Sequence, residues 1–286
     1  MKNLFLFIIP LFLFACSGGV ENKDNELSEN NSSDSSGNEM AIYSIPSPLF
    51  IGSVLKEMNC GYSPALLDDQ RKLKLTGAGK IITNSLLLGL YISDFGYAFI
   101  NDQQSDMNIF LGKADELIKM LDMQSPVVSG VIIRLKNNLH NRDSVRFLIN
   151  ELQTKIGKHY LDNNIDIVSI YVLTGMMCEG MYLTMNSCGE PDQKSISYLA
   201  NDFNQSLLQQ KSFLINIKEM LKNTGVSSDP ALLGHLDSLM SGLKELGISY
   251  SVDTKKNRIK YVHLDKSKLP AFREKVNKFR RWIRES

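Results

Sequence analysis

Apolar residues recur at helical spacing from residue 48 to residue 246, alternate briefly, and then return to helical spacing. The first ordered stretch opens at Ser47-Pro48. Ser47 caps, and Pro48 takes the first helical position, where its missing amide would have no partner in any case. Phe50, Ile51, Val54, Leu55 and Met58 follow on one face, and Gly61 is read as the stop. After a loop around Pro64, a longer helix is expected from about Lys74 to Ile100, apolar on most of its circumference and therefore central. Ser105 is read as the cap of the next helix, whose stripe is Met107, Phe110, Leu111, Ala114, Leu117, Ile118 and Leu121.

The same pattern predicts a helix from Ser125-Pro126 to about Leu139. Another is predicted over 143–161, with Val145, Leu148, Ile149, Leu152 and Ile156 on one face. A third, over about 165–185, is again apolar on most sides. A helical stretch follows Gly189-Glu190-Pro191 and runs to Leu221. Asp229-Pro230 repeats the cap-plus-proline start and leads to Leu246, with Gly247 as the stop. Then the period changes to two. "ISYSVD" and "RIKYVHLD" flank Thr254-Lys255-Lys256-Asn257, which reads as a β-hairpin. A last helix is expected from Ser267 to about Ile283. The fold class is therefore mainly all-α: a bundle of eight or nine helices in hairpins, with one short β-hairpin before the C-terminal helix.

Residues 1–46 have another character. Met1-Lys2-Asn3 is a short basic start, Leu4 to Phe14 is apolar except for Pro10, and Ala15 is a small residue before Cys16. That is a secretory signal layout ending at a lipid-accepting thiol, and it resembles a bacterial lipoprotein lipobox. Residues 1–15 are thus read as a signal peptide. Residues 17–40 carry six acids against Lys23 alone and almost no apolar residues. Such a segment cannot bury enough surface to offset its ordering entropy, so 16–40 is read as a lipidated cysteine with a disordered acidic tether. The tether would let a single helical domain, 41–286, range about 25–30 Å from a bilayer. Ser17, not Asp, follows the cysteine, so delivery to the outer membrane is expected, with the periplasmic face and the cell surface both open.

Charge adds little about chemistry and something about placement. The net charge is +1, but twelve bases against three acids lie between Lys255 and Ser286. Because Phe272, Val276, Phe279 and Ile283 repeat at helical spacing there, the last helix is expected to dock on the core with a solvated basic face. No nucleic-acid partner is expected. Besides Cys16 there are Cys60, Cys178 and Cys188, too few for a disulfide scaffold and without Cys-x-x-Cys spacing. No cofactor and no metal site is expected. The four histidines form no His-Glu-x-x-His motif, and no Gly-x-Ser-x-Gly elbow is present. "TGAGK" (Thr76 to Lys80) lacks the spacing of a phosphate loop and reads as a loop before a helix.

Two central helices share an unusual feature. "LGLYISDFGY" holds Gly89, Asp94, Gly96 and Tyr97; "LTGMMCEGMY" holds Gly175, Glu179, Gly180 and Tyr182. Each sets an acid three residues before a tyrosine among small residues in an apolar helix. A glycine costs about 1 kcal/mol in a helix interior, so close helix approach is expected in compensation. The helices after them, "FLGKADELIKML" and "FLINIKEMLKN", also correspond, a weak tetratricopeptide-like resemblance in which small residues let helices stack. An acid inside an apolar helix needs a partner or a shifted pKa. Arg134, Arg142 and the hydroxyls of Tyr97 and Tyr182 are the candidate partners. Two readings stand open: a polar pocket gripping a ligand, as in a carrier or an enzyme, or a buried network that holds helices in register.

"PSPLFIGSVLKEMNCGY", "LLLGLYISDFGYAFINDQQSD", "NNLHNRDS" and "MCEGMYLTMN" together resemble a family of Bacteroidota lipoproteins. Its members share a Pro-Ser-Pro start, a Gly-x-Tyr-x-x-Asp-x-x-Tyr helix, an Asn-rich turn ending in Arg-Asp-Ser, and a second helix with Glu-Gly-x-Tyr. The resemblance covers most of 45–286 and maps onto Gly89, Tyr91, Asp94, Tyr97, Asn141, Arg142, Asp143, Glu179 and Tyr182. It implies a helical fold and a lipid-anchored place in the cell envelope, and carries no biochemical role. The functional expectation is a lipid-anchored binding or scaffold module with an envelope protein or glycan as partner. The alternative is a ligand carrier or enzyme built on Asp94 and Glu179.

Overall fold

Three short polar residues, not glycines, stop the first helices. Asn59, Asp102 and Asp122 adopt positive φ (55°, 58° and 53°), a conformation their short polar side chains tolerate. Each closes the same double bond pattern. The Cys60 amide reaches the Leu55 carbonyl while Asn59 reaches Lys56; Gln103 reaches Ala98 while Asp102 reaches Phe99; Met123 reaches Ile118 while Asp122 reaches Lys119. The first helix therefore ends before Asn59, and Gly61 lies beyond the stop.

The computed structural model describes residues 47–75, 80–123, 126–151, 167–187, 196–225, 229–253 and 258–286. Their helices are α1 (Pro48–Glu57), α2 (Asp68–Lys72, after a 3-10 turn Pro64–Leu67), α3 (Ile81–Ile100), α4 (Gln104–Met120), α5 (Pro126–Asn138), α6 (described over 142–151), α7 (Ile167–Ser187), α8 (Ile196–Asn223), α9 (Pro230–Glu245) and α10 (Leu269–Glu285). Strands β1 (Ser249–Asp253) and β2 (Arg258–His263) pair antiparallel between α9 and α10. The all-α bundle with one hairpin is the observed fold. Cys16, the signal segment, the tether, most of "TGAGK" and the second half of the helix expected over 143–161 lie outside the described residues.

Three expected boundaries move. The third helix begins at Ile81, not Lys74. The region around Pro64 is a 3-10 turn running into α2 instead of a plain loop. Ser105 sits inside α4, whose N-cap is Gln103 without a side-chain bond. The two cap-plus-proline starts are as expected. Ser47 Oγ accepts the Leu49 amide at 3.3 Å, and Asp229 Oδ1 accepts those of Ala231 and Leu232 at 2.7 and 3.0 Å.

The core is built on α3 and α7, which run in the same sense and touch through glycines. A methyl group on Gly89 would lie 2.1 Å from the Val172 carbonyl oxygen, and one on Gly175 would lie 2.0 Å from that of Leu86. Neither position can hold a larger residue at this helix separation. Gly52 brings α1 near α3 less tightly, where a methyl group would lie 3.0 Å from Ile100 and 3.2 Å from the Gly96 carbonyl oxygen. By length and composition alone α7 could cross a membrane, but 72% of its apolar window is buried within the protein. Around this pair, α4 packs on α3, while α8 and α10 pack on α7. Helix α10 docks through Phe272, Val276, Phe279 and Ile283, as its periodicity predicts. It meets α9 where Gly242 faces Phe272 and where His235 stacks on Phe279 (5.2 Å) and lies tilted against Trp282 (5.1 Å).

Candidate functional site

Helix α3 places Tyr91 and Asp94 one turn apart, and α7 does the same with Glu179 and Tyr182. Both acids are completely buried. The cation between them comes from neither expected source. Arg280 of α10 lies on the buried face of its helix, four residues after Val276, and its Nε donates to Glu179 Oε2 at 2.7 Å. Its guanidinium lies 3.8 Å from the centre of the Tyr182 ring, a cation–π contact on the same side chain that α7 presents one turn on. Tyr182 and Arg280 both point toward the Leu66 carbonyl, at 3.5 Å each.

Asp94 has no donor. Neither of its oxygens, nor Glu179 Oε1, finds a protein N–H or O–H, yet the two carboxyl groups are within hydrogen-bonding reach of each other. Two carboxylates so placed would only repel. Burial, then the negative charge of Glu179, push the Asp94 carboxyl well above the usual range, and Arg280 offsets only part of this. Asp94 is therefore the member that favours its protonated form, with Glu179 beside it paired to Arg280. Burial alone would pull the Arg280 guanidinium down, but the charge of Glu179 and the bond to it hold it above its ordinary value. The triad is neutral overall and removed from water, the condition under which a buried pair is tolerated.

Other polar groups surround the triad. The Tyr91 hydroxyl points at the Gln70 carbonyl (3.4 Å), and Gln70 is itself buried with an amide lacking protein partners. Arg284, one turn after Arg280, bonds Asp69 at 3.0 Å. Burial pushes the Tyr91 and Tyr182 hydroxyls upward. Burial and the charge of Glu179 do the same to the Cys178 thiol, which is free, enclosed and chemically quiet. Cys60 is disulfide-bonded.

Two expected partners are corrected. Arg142 is not with Asp94: it pairs with Asp102 and lies over the Phe99 ring at 5.1 Å, on the surface. Arg134 forks onto Glu151 at 3.0 Å, also exposed. Arg142 finds an acid in the turn between α3 and α4 and Arg134 finds one on α6, so neither turns to the buried pair. Tyr97 also belongs elsewhere. Its hydroxyl accepts the Ser63 amide at 3.1 Å and faces the Gly61 carbonyl at 3.4 Å, and its ring lies 5.1 Å from Tyr62. Beside it is a cluster that the sequence reading missed. Arg71 holds Asp106 with two bonds of 2.6 Å, Tyr62 donates to the same carboxylate, and Arg71 also bonds Asp68. The Arg71 bonds keep the Asp106 carboxyl below its ordinary range.

A surface pocket of about 260 Å³ opens beside Arg142, with Phe99, Met107 and Leu139 as its floor and Asp102, His140 and Arg142 at its rim. It is separate from the triad. Among the described residues no group of three or more His, Cys, Asp and Glu could hold a metal ion. In comparisons with known families, curated proteins and solved structures, none matches this chain. Acid–base or nucleophilic chemistry needs a group within reach of a substrate atom. With Asp94 and Glu179 fully enclosed and Arg280 4% exposed, the triad joins α3, α7 and α10 and offers no such reach.

Proposed function

We propose that this protein is a lipid-anchored binding or scaffold module of the bacterial cell envelope, held at the outer membrane by acyl chains on Cys16 and facing the periplasm or the cell surface. The observation that carries the binding reading is the enclosure of the Asp94–Glu179–Arg280 triad. The most chemically unusual side chains in the chain hold helices together, which leaves the surface as the place of work. A protein or glycan of the envelope is the partner class.

Three observations support the location. The Leu4–Phe14 run, Ala15 and Cys16 stand in the order of a lipoprotein signal. The following residues are acidic and nearly free of apolar side chains. Cys60 is disulfide-bonded, and disulfides belong to oxidising compartments outside the cytoplasm. The resemblance to Bacteroidota lipoproteins points the same way.

The test is Cys16→Ala in the native host. After a high-salt wash the variant is expected in the soluble fraction, while the parent sediments with outer membranes and, after cross-linking, recovers an envelope protein or glycan. A variant that still sediments after a high-salt wash would overturn the anchor. Turnover of a substrate by a parent that captures nothing would overturn the binding reading in favour of the enzyme alternative.

A further inference from the structure

The β1–β2 hairpin is unlike the rest of the surface. Its register sets Tyr250 opposite Val262 and Val252 opposite Ile259, with an irregularity between Ser251 and Val252 that leaves Lys260 without a partner of its own. Tyr250, Val252, Ile259 and Val262 therefore share one face, and Tyr261 is on the other. Helix α8 covers only one end. Asn201 and Asn204 bond the backbone of Val262, which is buried. Tyr250, Val252, Ile259 and Tyr261 stand between 39% and 48% exposed. Elsewhere among the described residues the large exposed apolar residues are Ile81, Ile133, Phe147, Ile215 and Leu233, each on a different helix.

The surrounding charge is mostly positive. Lys260, Lys266 and Lys268 are exposed, and the Lys260 ammonium lies over the Tyr261 ring at 5.4 Å. Two acids stand among them: Asp253, half-buried at the end of β1 opposite Arg258, and Asp265, exposed and engaged by Ser267. The four residues linking the strands add Lys255 and Lys256 to the sequence, and no acid. Tyrosines and branched aliphatics ringed by lysines match the chemistry of a bilayer interface, where rings sit at headgroup depth and ammonium groups reach phosphates. A protein partner would seat on one face of a two-stranded ribbon. A headgroup layer meets both, and here both faces carry exposed apolar side chains.

We propose that the β1–β2 hairpin is a second membrane contact, which sets Tyr250, Val252, Ile259 and Tyr261 into the headgroup layer of an anionic phospholipid bilayer and Lys260, Lys266 and Lys268 against its phosphates. It rests on the envelope reading, since the anchor is what brings a bilayer within reach. The anchor holds the protein at the membrane, and this second contact orients the bundle on the surface.

The test uses the mature polypeptide from residue 16 onward with Cys16→Ser, which keeps every described residue and cannot be lipidated. It is mixed with phosphatidylcholine vesicles with and without about one-third phosphatidylglycerol, and bound protein is read by flotation. The parent is expected to bind the anionic vesicles at least about tenfold better and to be released by salt. Replacing Tyr250, Val252, Ile259 and Tyr261 together by Ser should lower binding about tenfold while circular dichroism shows the helical bundle intact. Lys260→Glu with Lys266→Glu, changes at exposed positions, should do the same. No preference for anionic vesicles, or equal binding by parent and both variants, overturns the proposal. A concentration-dependent dimer that the serine variant abolishes would also overturn it, by making the hairpin a contact between copies of this chain. Because this protein carries no lipid, the result does not depend on Cys16, and failure of the anchor is read separately by the Cys16→Ala fractionation.

Discussion

Arg280 Nε lies 2.7 Å from Glu179 Oε2, and the two residues are 101 positions apart in the chain. This bond ties the C-terminal helix to the central pair α3–α7, and it does so where no water can take over either partner. Removing one member of such a pair leaves an uncompensated buried charge, which typically costs about 3–5 kcal/mol. Arg280→Ala is therefore expected to lower the unfolding free energy by about that amount in urea titration, with α10 detaching first in hydrogen exchange. A loss below about 1 kcal/mol would mean that Glu179 finds another partner.

The proton on Asp94 gives a second expectation, with a definite sign. Its carboxyl is raised in the folded protein above its unfolded value, so above about pH 4 the folded state binds more protons than the unfolded state. The stabilisation is full below the unfolded value and is lost as pH rises toward the folded one, at up to about 1.4 kcal/mol per pH unit from this group. Asp94→Asn keeps a donor for Glu179 and cannot ionise. Stability of the variant should be flatter from pH 4 upward, and at high pH the variant should exceed the parent. Parallel curves for the two proteins would contradict a protonated Asp94.

Glycine substitutions should divide by location. Gly89→Ala and Gly175→Ala put a methyl group about 2 Å from a backbone carbonyl oxygen of the facing helix, and overpacking against backbone costs about 1–3 kcal/mol or more. Gly112→Ala in α4 and Gly234→Ala in α9 meet nothing within 4 Å and should stabilise by about 0.5–1 kcal/mol through helix propensity. Thermal melts of the four variants, measured side by side, check both signs. Four shifts in one direction would contradict the glycine-mediated crossing of α3 and α7.

The Asp106 cluster should respond to acid in the opposite sense from Asp94. Its carboxyl is lowered by the Arg71 bonds, so its contribution is present above the ordinary carboxyl range and lost as pH falls through the folded value. Asp106→Asn should destabilise near neutral pH and converge on the parent in acid, as read by urea midpoints across pH. A deficit that persists undiminished in acid would assign the effect to packing.

These sites show which features were legible along the chain. Helix starts at Ser47-Pro48 and Asp229-Pro230 are local: cap and proline act within one turn, so the sequence alone suffices. Helix stops at Asn59, Asp102 and Asp122 are equally local, but a reading that looks for glycine passes over them. Asp94 and Glu179 stand out because acids are rare in apolar helices, and the small residues beside them foretell close packing. Their partner does not stand out, because pairing in a bundle is set by which helices meet. Arg142 and Arg134 are nearer in sequence but bond Asp102 and Glu151 away from the buried pair. A signal for Arg280 does exist: it falls on the buried stripe of α10, between Phe279 and Ile283, where a cation must have an internal partner.

The most direct measurement of the central claim is the mass of the N-terminal peptide recovered from purified outer membranes. Trypsin cuts after Lys23, so the mature protein should yield a peptide running from Cys16 to Lys23 with residues 1–15 absent and diacylglycerol on the cysteine. A peptide that runs from Asn3 to Lys23, or an unmodified Cys16 in the membrane fraction, would contradict the lipid anchor and with it the envelope-tethered account.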